Sequence, residues 1–333
     1  MSNLTANQTF FANLSKHDIL LHMKQKKKIW WIVGIVIAVI LIADFGATWY
    51  FYGVAAVRSD KPVGQVAKSS PNYGLVTKFD QLGKTTKYIT NDNIKFDAWY
   101  VPAAEKTNKT VVVVHGFRQD KSAMRQYGEL FHEMGYNVLM PDNRGSGASG
   151  GKFITYGYYD KSDVIAWTKM LSKENPNSQI TLFGLSMGAS TVMMASGQSD
   201  LPSTVKNIIE DCGYDDVWSE ICYQAKQMYN LPKFPLLYQV SAMSQMRAGW
   251  NFQEASATKE LAKDELPILF IHGGDDTYVP TEMVHKNYEA VKSDVPKEIL
   301  IVPKAIHAKS FETDPALYTK TVQNFQNKYN PVK

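Results

Sequence analysis

The runs Val111-Val112-Val113-Val114 and Ile268-Leu269-Phe270-Ile271 are apolar at every position. A strand with one face in water alternates polar and apolar side chains. Strands without that alternation need cover on both faces, which is the condition of a parallel sheet between two layers of helices. β-rich runs are expected at 96–101, 110–115, 137–140, 179–183, 207–210, 268–271 and 298–302. Amphipathic stretches near 122–134, 160–173, 187–196, 281–292 and 315–328 separate them. This alternation predicts an α/β fold with a mostly parallel central sheet and helices on both faces. One stretch, 214–255, is rich in aromatic residues and Met and has no clear strand, so it reads as a helical insertion over one end of the sheet.

The N-terminus obeys a different rule. From Ile29 to Val57 only Asp44 is ionisable, long enough for the roughly 20 residues that cross a bilayer. Trp31 and Trp49 lie 18 positions apart, about 27 Å along a helix, which suits aromatic belts at two interfaces. The chain carries a net charge of +4. Lys16, Lys24, Lys26, Lys27 and Lys28 against Asp18 account for all of it, so the remainder is balanced. A basic cluster before an apolar span places the N-terminus in the cytoplasm. The expected division is a cytoplasmic tail at 1–28, a transmembrane helix at 29–53, a stalk or irregular lead-in at 54–75 and the α/β domain at 76–330. The domain would then sit outside the cell, held at the membrane by a single span. A cleaved signal peptide is the competing reading, with small residues at Ala43 and at Val54-Ala55-Ala56 for a peptidase. With the domain electroneutral and no finger, helix-turn-helix or aromatic RNA-binding signature present, nucleic acid is not an expected partner. Cys212 and Cys222 are the only cysteines, so no disulfide framework carries the fold; they read as small buried hydrophobes.

Catalytic chemistry is concentrated in a few segments. Gly184-Leu185-Ser186-Met187-Gly188 follows an apolar strand and opens an Ala- and Met-rich helix. That context turns the G-x-S-x-G pattern into a sharp strand-to-helix turn that lifts a serine above the sheet edge. A serine hydroxyl needs a base to take its proton, and the base needs a group to orient it. Of the histidines, His307 follows the last expected strand, where a loop can carry its imidazole over Ser186. His115 and His272 each end a strand, and His132 and His285 fall within helical patterns. Asp275 and Asp276 both lie just past the 268–271 strand, and spacing alone leaves them equivalent. For the oxyanion, the backbone N–H groups of Met187 and of Phe117, in His115-Gly116-Phe117, are the expected donors. No metal or cofactor is expected. The H-E-x-x-H pattern is absent, and Gly145-Ser-Gly147-Ala-Ser-Gly150 is followed by Phe153-Ile-Thr-Tyr, which starts no helix as a dinucleotide fingerprint must.

Together H-G-F at 115–117, D-N-R-G-S-G at 142–147, G-L-S-M-G at 184–188, H-G-G-D-D-T-Y-V-P at 272–280 and I-H-A-K-S at 306–310 resemble the α/β-hydrolase superfamily across residues 75–330. The lysine-rich leader, single span and D-C-G-Y segment look like membrane-associated serine hydrolases of Gram-positive bacteria. The resemblance implies the α/β-hydrolase fold with a cap at 214–255. It also places the family pattern D-x-x-V-P on Asp276. The chain departs from the pattern at Lys304-Ala305-Ile306, where relatives commonly carry a glycine. The expected activity is hydrolysis of a small carboxylic ester by Ser186, Asp276 and His307 through an acyl-enzyme. Peptide or amide hydrolysis of the aminopeptidase type, or an inactive surface binding protein on the same fold, are the alternatives. Trp218, Tyr223, Tyr229, Phe234, Tyr238, Trp250 and Phe252 could line an acyl pocket or form the core of the cap.

Overall fold

The computed structural model describes residues 16–59 and 64–331. Most of the expected cytoplasmic tail, 1–15, and part of the expected stalk, 60–63, lie outside the described residues. The chain divides into two compact units between Phe51 and Tyr52.

The first unit is formed by helix α1, Lys16–Ala56, which runs on into the second. It begins and ends beyond the expected span. Side chains from 18 to 43 are all exposed, including Trp30, Trp31 and Ile42 at 72%, 75% and 72%. Within Asp18–Ala56 the most apolar window of 18 residues has a mean hydropathy of 2.4, and the helix is long and apolar enough to cross a membrane.

The second unit is built on one sheet of eight strands: β1 Thr85–Asn91, β2 Ile94–Val101, β3 Lys109–Val114, β4 Asn137–Pro141, β5 Gln179–Leu185, β6 Val205–Asp211, β7 Ile268–Gly273 and β8 Lys297–Val302. Their spatial order is β1-β2-β4-β3-β5-β6-β7-β8, with β2 antiparallel to both its neighbours and every pairing from β4 to β8 parallel. All six residues of β3 and of β7 are buried, including the apolar runs 111–114 and 268–271 that required cover on both faces. Strand β1 is an addition to the expected set. Its sequence TTKYITN is polar and lies on the exposed edge; the hairpin to β2 turns at Asp92 and Asn93, with φ of 50° and 60°. Two consecutive left-handed residues of that type are the signature of a type I′ turn.

Helices cover both faces. On one face α2 (Tyr73–Gln81), α3 (Arg125–Glu133) and α11 (Pro315–Tyr329) bury Phe79, Tyr127, Phe131, Tyr318 and Phe325 against Val111, Val113, Phe183, Ile209 and Leu269. Helix α2 is an addition to the expected helices, its first three residues falling in the expected stalk. It forms because Val76 and Phe79, three residues apart, share one buried side. α4 (Asp160–Glu174), α5 (Met187–Ser196) and α9 (Glu282–Ala290) are the remaining long layer helices, with Tyr288 of α9 set edge-on against Phe270 of β7. The segment 214–255 holds α6 (Val217–Tyr229) and α7 (Tyr238–Ala248), and a bridge between Asp216 and Ser256 draws its two ends together. Of its aromatic residues Trp250 and Phe252 are fully buried beside Tyr156, whereas Phe234 and Tyr238 are 76% and 50% exposed. Short helices α8 (Ala257–Leu261) and α10 (Ser310–Thr313) complete the set.

Residues 52–59 pack on this second unit. Tyr52 is buried against Phe153 and beneath the Arg247 guanidinium. Ala56 O accepts from Ile154 N at 2.8 Å, Val57 bridges Phe153 and Arg58 N donates to Lys152 O at 3.0 Å.

Candidate active site

The C-terminal ends of β3, β5, β6 and β7 meet at one edge of the sheet, the side on which ligands bind in open parallel sheets. Ser186 stands at the turn from β5 to α5 with φ 56° and ψ −116°, a conformation an L-residue seldom adopts and one that raises its hydroxyl off the strand. Two glycines make the turn possible. A Cβ on Gly184 would lie 2.2 Å from Gly188 O, and one on Gly188 would lie 2.1 Å from Val114 O, so the elbow and β3 approach more closely than any side chain permits.

His307 reaches the serine from the loop after β8, where Lys304 and Ala308 both have positive φ, 61° and 57°. Here the chain takes, without the relatives' glycine, a backbone shape that glycine favours. Ser186 Oγ and His307 Nε2 are 2.9 Å apart, and His307 Nδ1 is 2.8 Å from Asp276 Oδ2. A carboxylate only accepts, so Nδ1 carries the proton and Nε2 is left to accept from the serine. The other Asp276 oxygen, Oδ1, accepts from Tyr278 N and Val279 N, each at 2.9 Å. Asp275, equivalent by spacing, has an exposed side chain; only its backbone N–H is engaged, with Ala305 O at 3.0 Å. Burial of Asp276 would raise its pKa, but hydrogen bonds from His272 and His307 outweigh it and hold the carboxyl below the usual carboxylate range. The group stays anionic at every working pH.

Two further residues attend this pair, and sequence reasoning assigned neither. Fully buried His272 donates from Nε2 to Val279 O at 2.9 Å and lies 3.4 Å from Asp276 Oδ2, a second imidazole on the acid. The Tyr278 ring lies 4.8 Å from that of His307 and covers it. The only hint in the sequence was that His272 ends a strand four residues before Asp276.

The turn after β3 passes beside the serine, since a Cβ on Gly116 would lie 3.4 Å from Ser186 Cβ. His115 is buried and anchors the turn: its Nε2 accepts from Asn143 N at 3.0 Å, and Asn143 Nδ2 donates to His115 O at 3.0 Å. This is what the D-N-R-G-S-G segment does here. Its Asp142 accepts from Lys121 N and Ala148 N and pairs with the Lys121 ammonium, while Arg144 grips Asp163 in a two-point ion pair. After Gly150 the next helix opens only at Asp160, so the segment does not have the form of a dinucleotide loop. Gly116 N is taken by Gln119 Oε1 at 2.9 Å. Among the described residues no acceptor faces the N–H of Phe117 or of Met187, the two expected oxyanion donors.

Cys212 and Cys222 are both buried and unpaired. Cys212 Sγ, a carboxylate oxygen of Asp276 and a ring nitrogen of His307 lie within 4.8 Å of one another. His307 and Asp276 already hydrogen-bond, and burial pushes the Cys212 thiol well up. A thiol held protonated is a poor metal ligand.

The profile of a family described as serine aminopeptidase, S33, matches residues 105–209. The uncharacterized protein YqkD of Bacillus subtilis is 32% identical over 259 residues, 78% of this chain and 84% of the relative. The uncharacterized protein YfhR of Escherichia coli O157:H7 is 24% identical, over 73% of this chain and 80% of its own. Among solved structures, the Pyrococcus furiosus esterase Pf2001 superimposes with a TM-score of 0.64 at 25% identity, covering 81% of this chain and 97% of that one. An acylaminoacyl peptidase of Pyrococcus horikoshii shares the fold at a TM-score of 0.58 and 18% identity, over 77% of this chain and 44% of that chain. The strand order, the strained serine after β5 and the extent of these similarities together make the chain a member of the α/β-hydrolase superfamily.

Proposed function

We propose that this protein is a membrane-anchored serine hydrolase that cleaves carboxylic esters, with Ser186 as nucleophile, His307 as base and Asp276 as its orienting acid. The observation that carries the reading is the unbroken hydrogen-bonded line from Ser186 Oγ through both His307 nitrogens to Asp276, at 2.9 and 2.8 Å. In the first step Ser186 Oγ bonds to the acyl carbon as its proton passes to His307 Nε2. The carbonyl oxygen takes the charge and receives the N–H groups of Phe117 and Met187, the positive N-terminal turn of α5 adding to the second. The imidazolium, paired with Asp276, then protonates the departing alkoxide, leaving an acyl-serine. Water repeats the sequence and frees the acid. No metal or cofactor takes part.

Helix α1 supplies the membrane attachment, with the bilayer meeting residues 29–53. The lysines before it favour a cytoplasmic N-terminus and a catalytic unit on the outer side. The matched family's description, serine aminopeptidase, favours a second reading in which the same three residues cleave an amide. Turnover of p-nitrophenyl esters of increasing chain length, measured beside aminoacyl p-nitroanilides on the full chain in detergent, separates the two. Esters should turn over faster by at least two orders of magnitude; faster anilide turnover makes the protein a peptidase.

A further inference from the structure

Phe117 N–H must point at a fixed spot if it is to bind an oxyanion, and the residues beside it are tied to another part of the chain. Arg118, the next residue, has φ 54°, an unusual conformation for a residue with a Cβ. Its guanidinium donates from Nη2 to Val54 O at 2.7 Å and to Gly53 O at 3.4 Å. It also lies 5.3 Å from the Phe117 ring. Tyr156 stacks on Phe117, with centroids 5.2 Å apart and planes at 21°, and its hydroxyl donates to Ala55 O at 2.7 Å. Three successive carbonyls, those of residues 53, 54 and 55, are therefore held by two side chains that both contact the Phe117 ring.

Those carbonyls belong to the last turn of α1, where a helix has no partners of its own for them. A cation suits that negative end. Among the described residues no carboxylate pairs with Arg118, so the helix end is what receives its charge. Ala56 O and Arg58 continue the attachment, with the Arg58 guanidinium donating to Ser149 O and Gly147 O at 2.6 Å each.

We propose that residues 53–56 are a working part of the active site, holding Phe117 in its oxyanion-binding position through Arg118 and Tyr156. The proposal rests on the serine hydrolase reading. Arg118 and Tyr156 are positioning residues, touching no reacting atom. The segment that continues the apolar helix then sets the turnover rate as well as the location of the enzyme, and any event that pulls 53–56 off the catalytic unit lowers activity with Ser186, His307 and Asp276 intact.

The test uses the full chain in detergent or nanodiscs, with Arg118→Met, which fills the space without donating, Arg118→Lys, which keeps the charge, and Tyr156→Phe, which keeps the stacked ring and loses only the bond to Ala55 O. Loss of one oxyanion donor costs about 10²–10³ in kcat, and a displaced donor somewhat less. Arg118→Met is expected to lower kcat for p-nitrophenyl butyrate roughly 10- to 100-fold with KM within threefold. Tyr156→Phe should lower it roughly 3- to 10-fold, and Arg118→Lys should recover part of the loss. An arylboronic acid that forms a tetrahedral adduct on Ser186 should lose affinity in proportion to kcat across the three variants, which a residue that only stabilises the fold would not produce. Unchanged kcat in both Arg118→Met and Tyr156→Phe overturns the proposal. So does a loss confined to KM for anionic esters, which would make Arg118 a substrate-binding residue. If the wild-type chain turns over no substrate and takes no boronic acid, the hydrolase reading itself fails, a result distinct from active variants.

Discussion

Replacing Asp276 by Asn tests the acid through its two oxygens, which have separate duties. Oδ1 accepts from two backbone N–H groups and Oδ2 accepts from His307 Nδ1. An amide has one oxygen. If that oxygen stays on Tyr278 N and Val279 N, the Asn NH₂ faces His307 and imposes the tautomer with the proton on Nε2, which cannot accept from Ser186. If the side chain flips, the correct tautomer returns, but the NH₂ then opposes two buried backbone donors. Each buried donor left without an acceptor costs about 1–3 kcal/mol, so the competent arrangement is disfavoured by roughly 2–6 kcal/mol. At about 1.4 kcal/mol per decade this is a 30- to 10⁴-fold fall in kcat, and the lost support for the imidazolium places the result toward the upper end. The favoured arrangement keeps both backbone bonds and sets the NH₂ against His272 Nε2–H, so the melting temperature should fall while the chain stays folded. The assay is steady-state hydrolysis of p-nitrophenyl acetate by the full chain in detergent, with Asp275→Asn as the control expected to remain within twofold of wild type. An Asp276→Asn enzyme within threefold of wild type, or a large loss on Asp275→Asn instead, would refute the assignment.

Two further outcomes follow from the same geometry. Phe117→Pro, which removes the donor N–H, should lower kcat about 10²- to 10³-fold, whereas Phe117→Ala, which keeps it, should cost less than tenfold; equal losses in the two would place the role in the ring. Burial pushes Glu210, beside His272, up to about 8 from its ordinary 4.5, with His272 and Gly213 N–H only partly opposing. The folded chain then keeps a proton that the unfolded chain gives up, so this carboxyl makes stability fall by about 1.4 kcal/mol per pH unit as pH rises from about 4.5 to about 8. Glu210→Gln should therefore gain on wild type in melting temperature as pH climbs from 5 to 8, and a gap that stays constant across that range would contradict the account.

The parallel core was readable in the sequence because physics leaves little choice there: runs such as VVVV and ILFI have no polar face to show to water, and these two, with the five other expected β-rich runs, formed strands. What escaped was held by features without that signature. Strand β1 is mostly polar, with only Tyr88 and Ile89 apolar, and it owes its place to a two-residue turn at Asp92 and Asn93. Helix α2 offers only Val76 and Phe79 as a buried side. At the site, the strand-turn-helix context singled out Ser186, but two adjacent aspartates after one strand were equivalent by spacing, and the side-chain arrangement around His307 separates them. The contacts of Arg118 and Tyr156 with residues 53–55 join positions more than 60 apart in the chain. Local pattern carries no trace of a bond of that kind, and the residues that supply the carbonyls read as the junction of a membrane span with its stalk.

The central claim is that Ser186 is an activated nucleophile. Incubating the folded full chain with a fluorophosphonate and mapping the adduct by peptide mass spectrometry tests it most directly. The account predicts a single phosphonylated site at Ser186, absent in Ser186→Ala and slowed by orders of magnitude in His307→Ala. A folded protein that takes no adduct at Ser186, or labels equally well without His307, would contradict it.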